Sequence, residues 1–399
     1  MASTRRKDGP LGPVAGGYRA RLMALGYTPG SARFQLRMMG QLGRWMEAEG
    51  AELVRLDEEL VGRFLAARRT LGQRPALGMR SFVALVEHLR EQGAIAPEAC
   101  PPASPLGELL ERYHGWLVRE RGLAAATVHR YVTLARRFLA QRARHGGTGV
   151  EGLSGADVSA FLLGECERLS VGSAKGRVAE LRSLLRFLYV EGLSGRALAA
   201  AVPPVAGWRD VGLPATISPA EVRQILAGCD RSSAMGQRDL AMLTLLARLG
   251  LRSIEIARLE IGDLNWRAGE LVVRGKARRR ERLPMPREVG EALVAYLRDG
   301  RPQAEVRQVF LTCRAPVRAI RPDLVSDVVR RACRRAGLAP VGAHRLRHAL
   351  AAELLRQGAS LVEIGQVLRH RDLATTAVYA KVDLGALRQL AQPWPGAPR

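Results

Sequence analysis

Lysine is nearly missing from this 399-residue chain: Lys7, Lys175, Lys276 and Lys381 are the only four among 62 basic side chains. The other 58 are arginine, a skew that follows G+C-rich coding and is therefore discounted as a functional signal. Cysteine is sparse too. Cys100, Cys166, Cys229, Cys313 and Cys333 are odd in number, far apart and without a C-x-x-C pair. That pattern excludes a disulfide framework and a structural zinc site, and it predicts reduced thiols in a cytoplasmic protein. No run of eighteen apolar residues occurs, so neither a membrane-spanning helix nor a membrane partner is expected. The opening MASTRRKDGPLG lacks the apolar stretch of a secretory signal.

The hydrophobic fraction of 47% is ample for packed cores. The length predicts more than one domain. A net charge of +24 predicts attraction to a polyanion, nucleic acid ahead of an anionic membrane. The surplus is uneven. Residues 1–100 and 101–210 each carry 15 basic and 10 acidic side chains, whereas residues 211–399 carry 32 and 18. The strongest grip on a polyanion is expected in that last part.

Two proline-rich stretches, EACPPASP (98–105) and AVPPVAGWRDVGLP (201–214), predict breaks between helical segments. They divide the chain into about 1–100, 105–202 and 215–399. The first two parts share a pattern. Tyr18, Leu22 and Gly26 match Tyr113, Leu117 and Gly122; Leu56, Phe64 and Leu65 match Leu153, Phe161 and Leu162; Leu85, Leu89 and Gly93 match Leu184, Leu188 and Gly192. Two related four-helix units are expected. The third part is mixed. Ser218-Pro219-Ala220-Glu221 is a capping box, and helices are expected at 219–228, 236–249, 252–261, 287–299, 321–336, 344–356, 360–368, 372–380 and 383–391. Strands are expected at Glu270–Arg274 and Arg282–Met285, with a basic tip between them holding Lys276, Arg278, Arg279 and Arg280. The fold class is mainly α with a small antiparallel sheet.

Several chemistries fail on spacing. Gly269-x5-Gly275-Lys276 is one residue too long for a phosphate-binding loop, and Ala277 lacks the hydroxyl that such a loop offers to magnesium. His344 and His348 are four apart, but Arg345 stands where a zinc protease needs its glutamate. No acidic cluster suits two-metal phosphodiester cleavage. No metal and no other cofactor is expected.

What remains is an ordered constellation: Gly250-Leu251-Arg252 with Glu255, Lys276 at a hairpin turn, His344-x-x-Arg347, His370, and Tyr379 nine residues later. It resembles the tyrosine recombinase (phage integrase) family in both order and spacing. Arginine matches are cheap in a chain with 58 of them, but His and Tyr number only seven each. The resemblance implies a SAM-like core-binding helical domain at 105–202 and a mixed α/β catalytic domain at 215–399 ending in an exchange helix near Leu384–Leu390. It further implies that residues 1–100 are an additional N-terminal helical module, for DNA or arm binding. Such a module is more usual in integrases and recombinase-type transposases of bacterial mobile elements than in chromosome-resolving members. The family acts on double-stranded DNA as a homo-oligomer, a tetramer in the synaptic complex.

The chemistry suits these residues. Cleaving a DNA phosphodiester without metal needs a protein nucleophile and cations around the phosphorane. A tyrosine phenol has a pKa of ~10 and is mostly protonated at neutral pH. Guanidiniums favour phenolate and neutralise non-bridging oxygens, and their planar fork suits two oxygens at once. The expected catalytic set is Arg252, Lys276, His344, Arg347, His370 and the nucleophile Tyr379, supported by Glu255 and His348. Arg278, Arg279 and Arg280 on the hairpin and Arg330, Arg331, Arg334 and Arg335 on one helical stripe are expected to meet DNA. Three positions depart from the family's habit: Arg369 where glycine is common, Ala349 where threonine is common, and Arg345 where an acid is frequent. A type IB topoisomerase-like relaxase and a non-catalytic DNA-binding regulator are the competing readings.

Overall fold

The computed structural model describes residues 9–70, 78–96, 104–143, 147–167, 169–205, 217–275, 280–370 and 376. The chain forms two compact units, one of Met1–Pro97 with Gly212–Arg399 and the other of Glu98–Val211. No helix among the described residues is long and apolar enough to cross a membrane.

The N-terminal stretch carries α1 (Ala15–Ala24), α2 (Pro29–Ala48), α3 (Glu58–Thr70) and α4 (Val83–Glu91). The second unit carries α5 (Pro105–Arg119), α6 (Ala125–Arg142), α7 (Gly155–Cys166) and α8 (Val171–Val190). Helix starts are written locally. Thr28 and Ser104 accept from the backbone N–H of Ser31 and Gly107, each followed by proline at the first helical position. Each such cap stabilises its helix by about 1 kcal/mol.

The two bundles repeat each other inside their cores. Tyr18 and Tyr113, Leu22 and Leu117, Phe64 and Phe161, and Leu89 and Leu188 are all buried. The likeness extends along α2 and α6, where Ala32, Met38, Met39 and Leu42 are buried like Val128, Leu134, Ala135 and Phe138. The tyrosine of the first helix packs on the fourth helix in both copies: Tyr18 on His88 at 5.8 Å between centroids, Tyr113 on Phe187 at 5.0 Å. One polar contact recurs with its ends exchanged. Arg68 on α3 donates to Gln41 on α2, whereas Arg137 on α6 donates to Glu165 on α7 at 2.7 Å.

The C-terminal part is built around α10 (Ala234–Leu249), whose buried residues run Ala241, Met242, Leu243, Thr244, Leu245 and Leu246 without a polar face. A helix buried all round belongs in the centre, and its buried Arg238 and Asp239 pair with each other. Around it pack α9 (Pro219–Ala227), α12 (Arg287–Ala295), α13 (Pro322–Arg335) and α14 (His344–Arg356). α11 (Ser253–Arg258) and α15 (Leu361–Val367) are further helices of this part. Ser218 and Glu221 form the expected capping box on α9. The sheet is β1 (Leu264–Asn265), β2 (Glu270–Arg274) and β3 (Arg280–Pro284), antiparallel in that order. Leu271 pairs with Leu283 and Arg274 with Arg280.

Several boundaries differ from expectation. α11 stops at Arg258, and a short 3-10 turn (Ile261–Asp263) follows, fixed because Arg274 donates to Glu260 and Asp263 at 2.8 and 2.9 Å. β3 begins at Arg280 rather than 282, so Arg280 is a ladder residue and not part of the hairpin tip. β1 is two residues long, too short for alternation to announce it. The helix at 287 ends at Ala295 and passes into a π-turn (Tyr296–Gly300). There Tyr296 stacks on Phe310 and its hydroxyl accepts from the backbone N–H of Leu311 at 3.1 Å. The helices expected at 372–380 and 383–391 lie outside the described residues, apart from Thr376.

Gly250 closes α10 in the left-handed region at φ 56°, and a Cβ there would meet Leu368 Cδ2 at 2.7 Å. Gly250→Ala is expected to lower stability by about 1–3 kcal/mol through backbone strain, with the steric clash adding to it. Thermal unfolding measures this, and an unchanged Tm would show that the turn relaxes freely.

Candidate active site

The site grows out of three helix ends. Gly250 turns the chain after α10, so Leu251 is buried and Arg252 becomes the residue capping α11. Glu255, three residues on, accepts from the backbone N–H of Arg252 at 2.8 Å and from its Nη1 at 2.7 Å. Glu255 is 4% exposed, so it is not a surface acid. The Arg252 side chain keeps 38% of its surface open. Its Nη2 also donates to the carbonyl of Arg369 at 3.2 Å.

Arg347, on the first turn of α14, is 1% exposed. Its Nη1 donates to the carbonyl of Gly250 and its Nη2 to that of Leu368. These carbonyls end α10 and α15, where the helix dipoles are negative. A buried guanidinium is thus stabilised by two helix C-termini.

The chain leaves α15 through Arg369, at φ 55° the single non-glycine residue with positive φ among the described residues. This conformation lets the N–H of His370 donate to the carbonyl of Gly365 at 2.9 Å. It is the helix-ending position where glycine is usual, which explains the family's habit. His370 Nδ1 lies 2.8 Å from Oγ1 of Thr376, which is fully buried. His344, the first residue of α14, faces His348 edge-on at 4.4 Å between centroids.

The three histidines share one electrostatic setting. Burial, then the positive charge of Arg347, Arg252 and His344, pushes His370 down to about 4. Burial and then His344 push His348 down to about 4. Burial and the same arginines hold His344 below its ordinary value. The site therefore presents neutral imidazoles beside two fixed cations. Such a pocket can bind a phosphodiester monoanion, whose charge would raise the histidine pKa values and ready them for proton transfer.

Arg252, Glu255, His344, Arg347, His348 and His370 are brought together. Lys276, Arg278, Arg279, Tyr379 and the segment Leu384–Leu390 lie outside the described residues. The expected basic stripe on α13 is partly engaged within the chain. Arg330 pairs with Asp327 at 2.5 Å, Arg331 with buried Asp239 at 3.3 Å, and Arg335 donates to the carbonyl of Gly228 at 3.2 Å. Arg334 is exposed. Thr376, which partners His370, stands in the motif-bearing tail but is given no role by the motif, and Glu281 on β3, whose carboxylate lies 3.7 Å from Arg369 Nε, escaped the reading of motifs. The one available signal was Arg369 itself, a charged residue where a glycine is common.

Residues 215–384 match the profile of the phage integrase family. The candidate integrase/recombinase y4rA of Sinorhizobium fredii is 40% identical over 99% of this chain and 97% of its own length. The tyrosine recombinase XerD of Mycobacterium tuberculosis is 33% identical, over 72% of this chain and 96% of its own. Among solved structures, a XerH site-specific recombinase bound to a palindromic difH substrate superposes with a TM-score of 0.54 at 18% identity, covering 86% of this chain and 99% of that one.

The depressed histidines make stability depend on pH. Between the ordinary value of 6.5 and about 4, the unfolded chain binds protons that folded His348 and His370 refuse. Stability therefore falls as pH drops through that window and levels off below it. The Tm is expected to decrease from neutral to mildly acidic buffer, and the paired change His348→Gln with His370→Gln should flatten that slope. A wild-type Tm independent of pH across the window would contradict the neutral-imidazole pocket.

Proposed function

The chain belongs to the tyrosine recombinase (phage integrase) family, and from that premise we propose how its residues carry out strand exchange. It is a site-specific DNA recombinase, a DNA strand transferase. The observation that carries the residue roles is the convergence of Arg252, Arg347 and three neutral histidines on one pocket.

In this reading the scissile phosphate sits between Arg252 and Arg347, whose guanidiniums neutralise its non-bridging oxygens as the phosphorane forms. The phenol oxygen of Tyr379 attacks phosphorus, and His344 and His370 hold the phosphate or take the phenol proton. The P–O5′ bond breaks, and Lys276 on the β2–β3 hairpin protonates the departing oxygen. The products are a 3′-phosphotyrosyl link and a free 5′-hydroxyl. Because the link conserves the bond energy, a 5′-hydroxyl from a partner duplex rejoins the strands with no ATP. Glu255 orients Arg252, and His348 supports His344.

The proposal extends to the rest of the chain. Residues 105–202 act as the core-binding module and residues 1–100 as an additional DNA or arm module. Arg278, Arg279, Arg280, Arg330, Arg331, Arg334 and Arg335 contact the duplex. The working assembly is a homotetramer on paired sites, in the cytoplasm and on the nucleoid when DNA-bound. The full-length relation to an integrase/recombinase favours service to a mobile element over chromosome resolution.

Wild type is expected to form a covalent adduct with a nicked suicide duplex carrying its site, while Tyr379→Phe forms none and binds the duplex with equal affinity. Supercoil relaxation without strand exchange would favour a relaxase, and no adduct on the correct site would favour a regulator. Binding should also weaken about a thousandfold or more between about 50 and 200 mM salt, because each phosphate contact releases counterions. A salt-independent Kd would argue against contact with many phosphates.

A further inference from the structure

The catalytic cluster contains a guanidinium that the strand-transfer reading does not use. Arg369 adopts φ 55°, a conformation that glycine takes freely and L side chains take at a cost. Its side chain is nevertheless 6% exposed, with both Nη atoms hydrogen-bonded. Nη2 pairs with Oε2 of Glu255 at 2.9 Å, and Nε faces Oε2 of Glu281 at 3.7 Å. Nη1 donates to the carbonyl of Val367 at 3.2 Å and that of Leu249 at 3.5 Å. The other Glu255 oxygen holds Arg252. One buried carboxylate therefore serves two guanidiniums.

We propose that Arg369 is a positioning residue for strand transfer: it shares Glu255 with Arg252, leaving Arg252 charge for the phosphate, and it tethers the β2–β3 hairpin through Glu281. The proposal rests on the strand-transfer reading above. The charge arithmetic is simple. Arg252 and Glu255 alone sum to zero, and a glycine at 369 would leave a neutralised pair facing the DNA. With Arg369 the buried trio carries one net positive charge, which Glu281, 3.7 Å away and 41% open to solvent, offsets only in part. The Glu281 contact matters because β3 continues the hairpin that bears Lys276. A side chain anchored at the ends of α10 and α15 thus reaches the strand that follows Lys276 in the sequence.

The test compares wild type, Arg369→Gly and Arg369→Lys in single-turnover cleavage of the nicked suicide duplex as a function of pH. Tm and duplex affinity are measured alongside. Arg369→Gly is expected to cleave about tenfold more slowly, a loss typical of a misplaced catalytic group. Its Tm is expected to fall, because buried Glu255 loses one of its two ion-pair partners, so cleavage is read well below that Tm, and its affinity should stay within about twofold. The acid limb of the rate profile should move to higher pH. Buried Glu255, faced by Arg252 and Arg369 and sharing the pocket with Arg347, His344 and His370, loses one of the two cations that hold its carboxyl below the usual range. Arg369→Lys should recover part of the rate. Cleavage by Arg369→Gly at the wild-type rate with an unmoved acid limb overturns the proposal, as does a rate that falls only in step with Tm and affinity. An inactive wild type would reject the strand-transfer reading itself, whereas an active wild type matched by Arg369→Gly rejects only this role.

Discussion

Arg347 takes a full positive charge to a position with 1% of its surface exposed, and its guanidinium donates to the carbonyls of Gly250 and Leu368. A buried charge is costly unless it is compensated. It is tolerated here because two helices end against it. The carbonyls of Gly250 and Leu368 are among the groups that α10 and α15 leave unsatisfied at their C-termini, and each finds its donor in Arg347. One side chain therefore fixes the spacing of three helix ends, since it is itself the fourth residue of α14. Arg252 follows the first of these carbonyls by two residues, and His370 follows the second by two. Their placement is a consequence of the same anchor.

The cluster stays cationic because it is sparing with acid. Glu255 is the carboxylate shared by Arg252 and Arg369, while the neighbouring ion pairs are kept to other places: Arg274 turns to Glu260 and Asp263, and Arg331 with Arg238 to Asp239. The histidines add no charge of their own at neutral pH, since burial and the arginines hold them neutral. The pocket is thus poised to respond to an arriving anion. The field that keeps protons off the imidazoles is the field an anion cancels.

Much of this was legible in residues. The capping box at Ser218, the apolar core of α10 and the alternation of β2 follow from local chemistry, and they lie where the spacing places them. His344 and His370 stand out because histidine is scarce, Arg347 only by its spacing from His344, and the structure gathers the three. What was hidden is long-range. Arg369 and Glu255 are separated by 114 positions, and nothing local announces that they meet. Arg331 reads as an exposed cation on a basic stripe until the fold brings Asp239 beneath it. β3 starts early because Arg274 offers a ladder partner to Arg280, a pairing that depends on the opposite strand and not on the residue itself.

The two N-terminal bundles preserve a record of where length could change. Matching positions are separated by 95 residues along α1 (Tyr18 and Tyr113), 96 along α2 (Leu42 and Phe138), 97 along α3 (Phe64 and Phe161) and 99 along α4 (Leu89 and Leu188). The separation grows only across turns and stays constant within each helix. An inserted residue inside a helix would rotate everything beyond it by about 100° and swing the apolar stripe away from the core. An inserted residue in a turn merely lengthens a path over the surface. Engineers seeking to graft a tag or a regulatory segment into this chain therefore have their permissive joints marked out by its own internal comparison, at the three connections where the count slips.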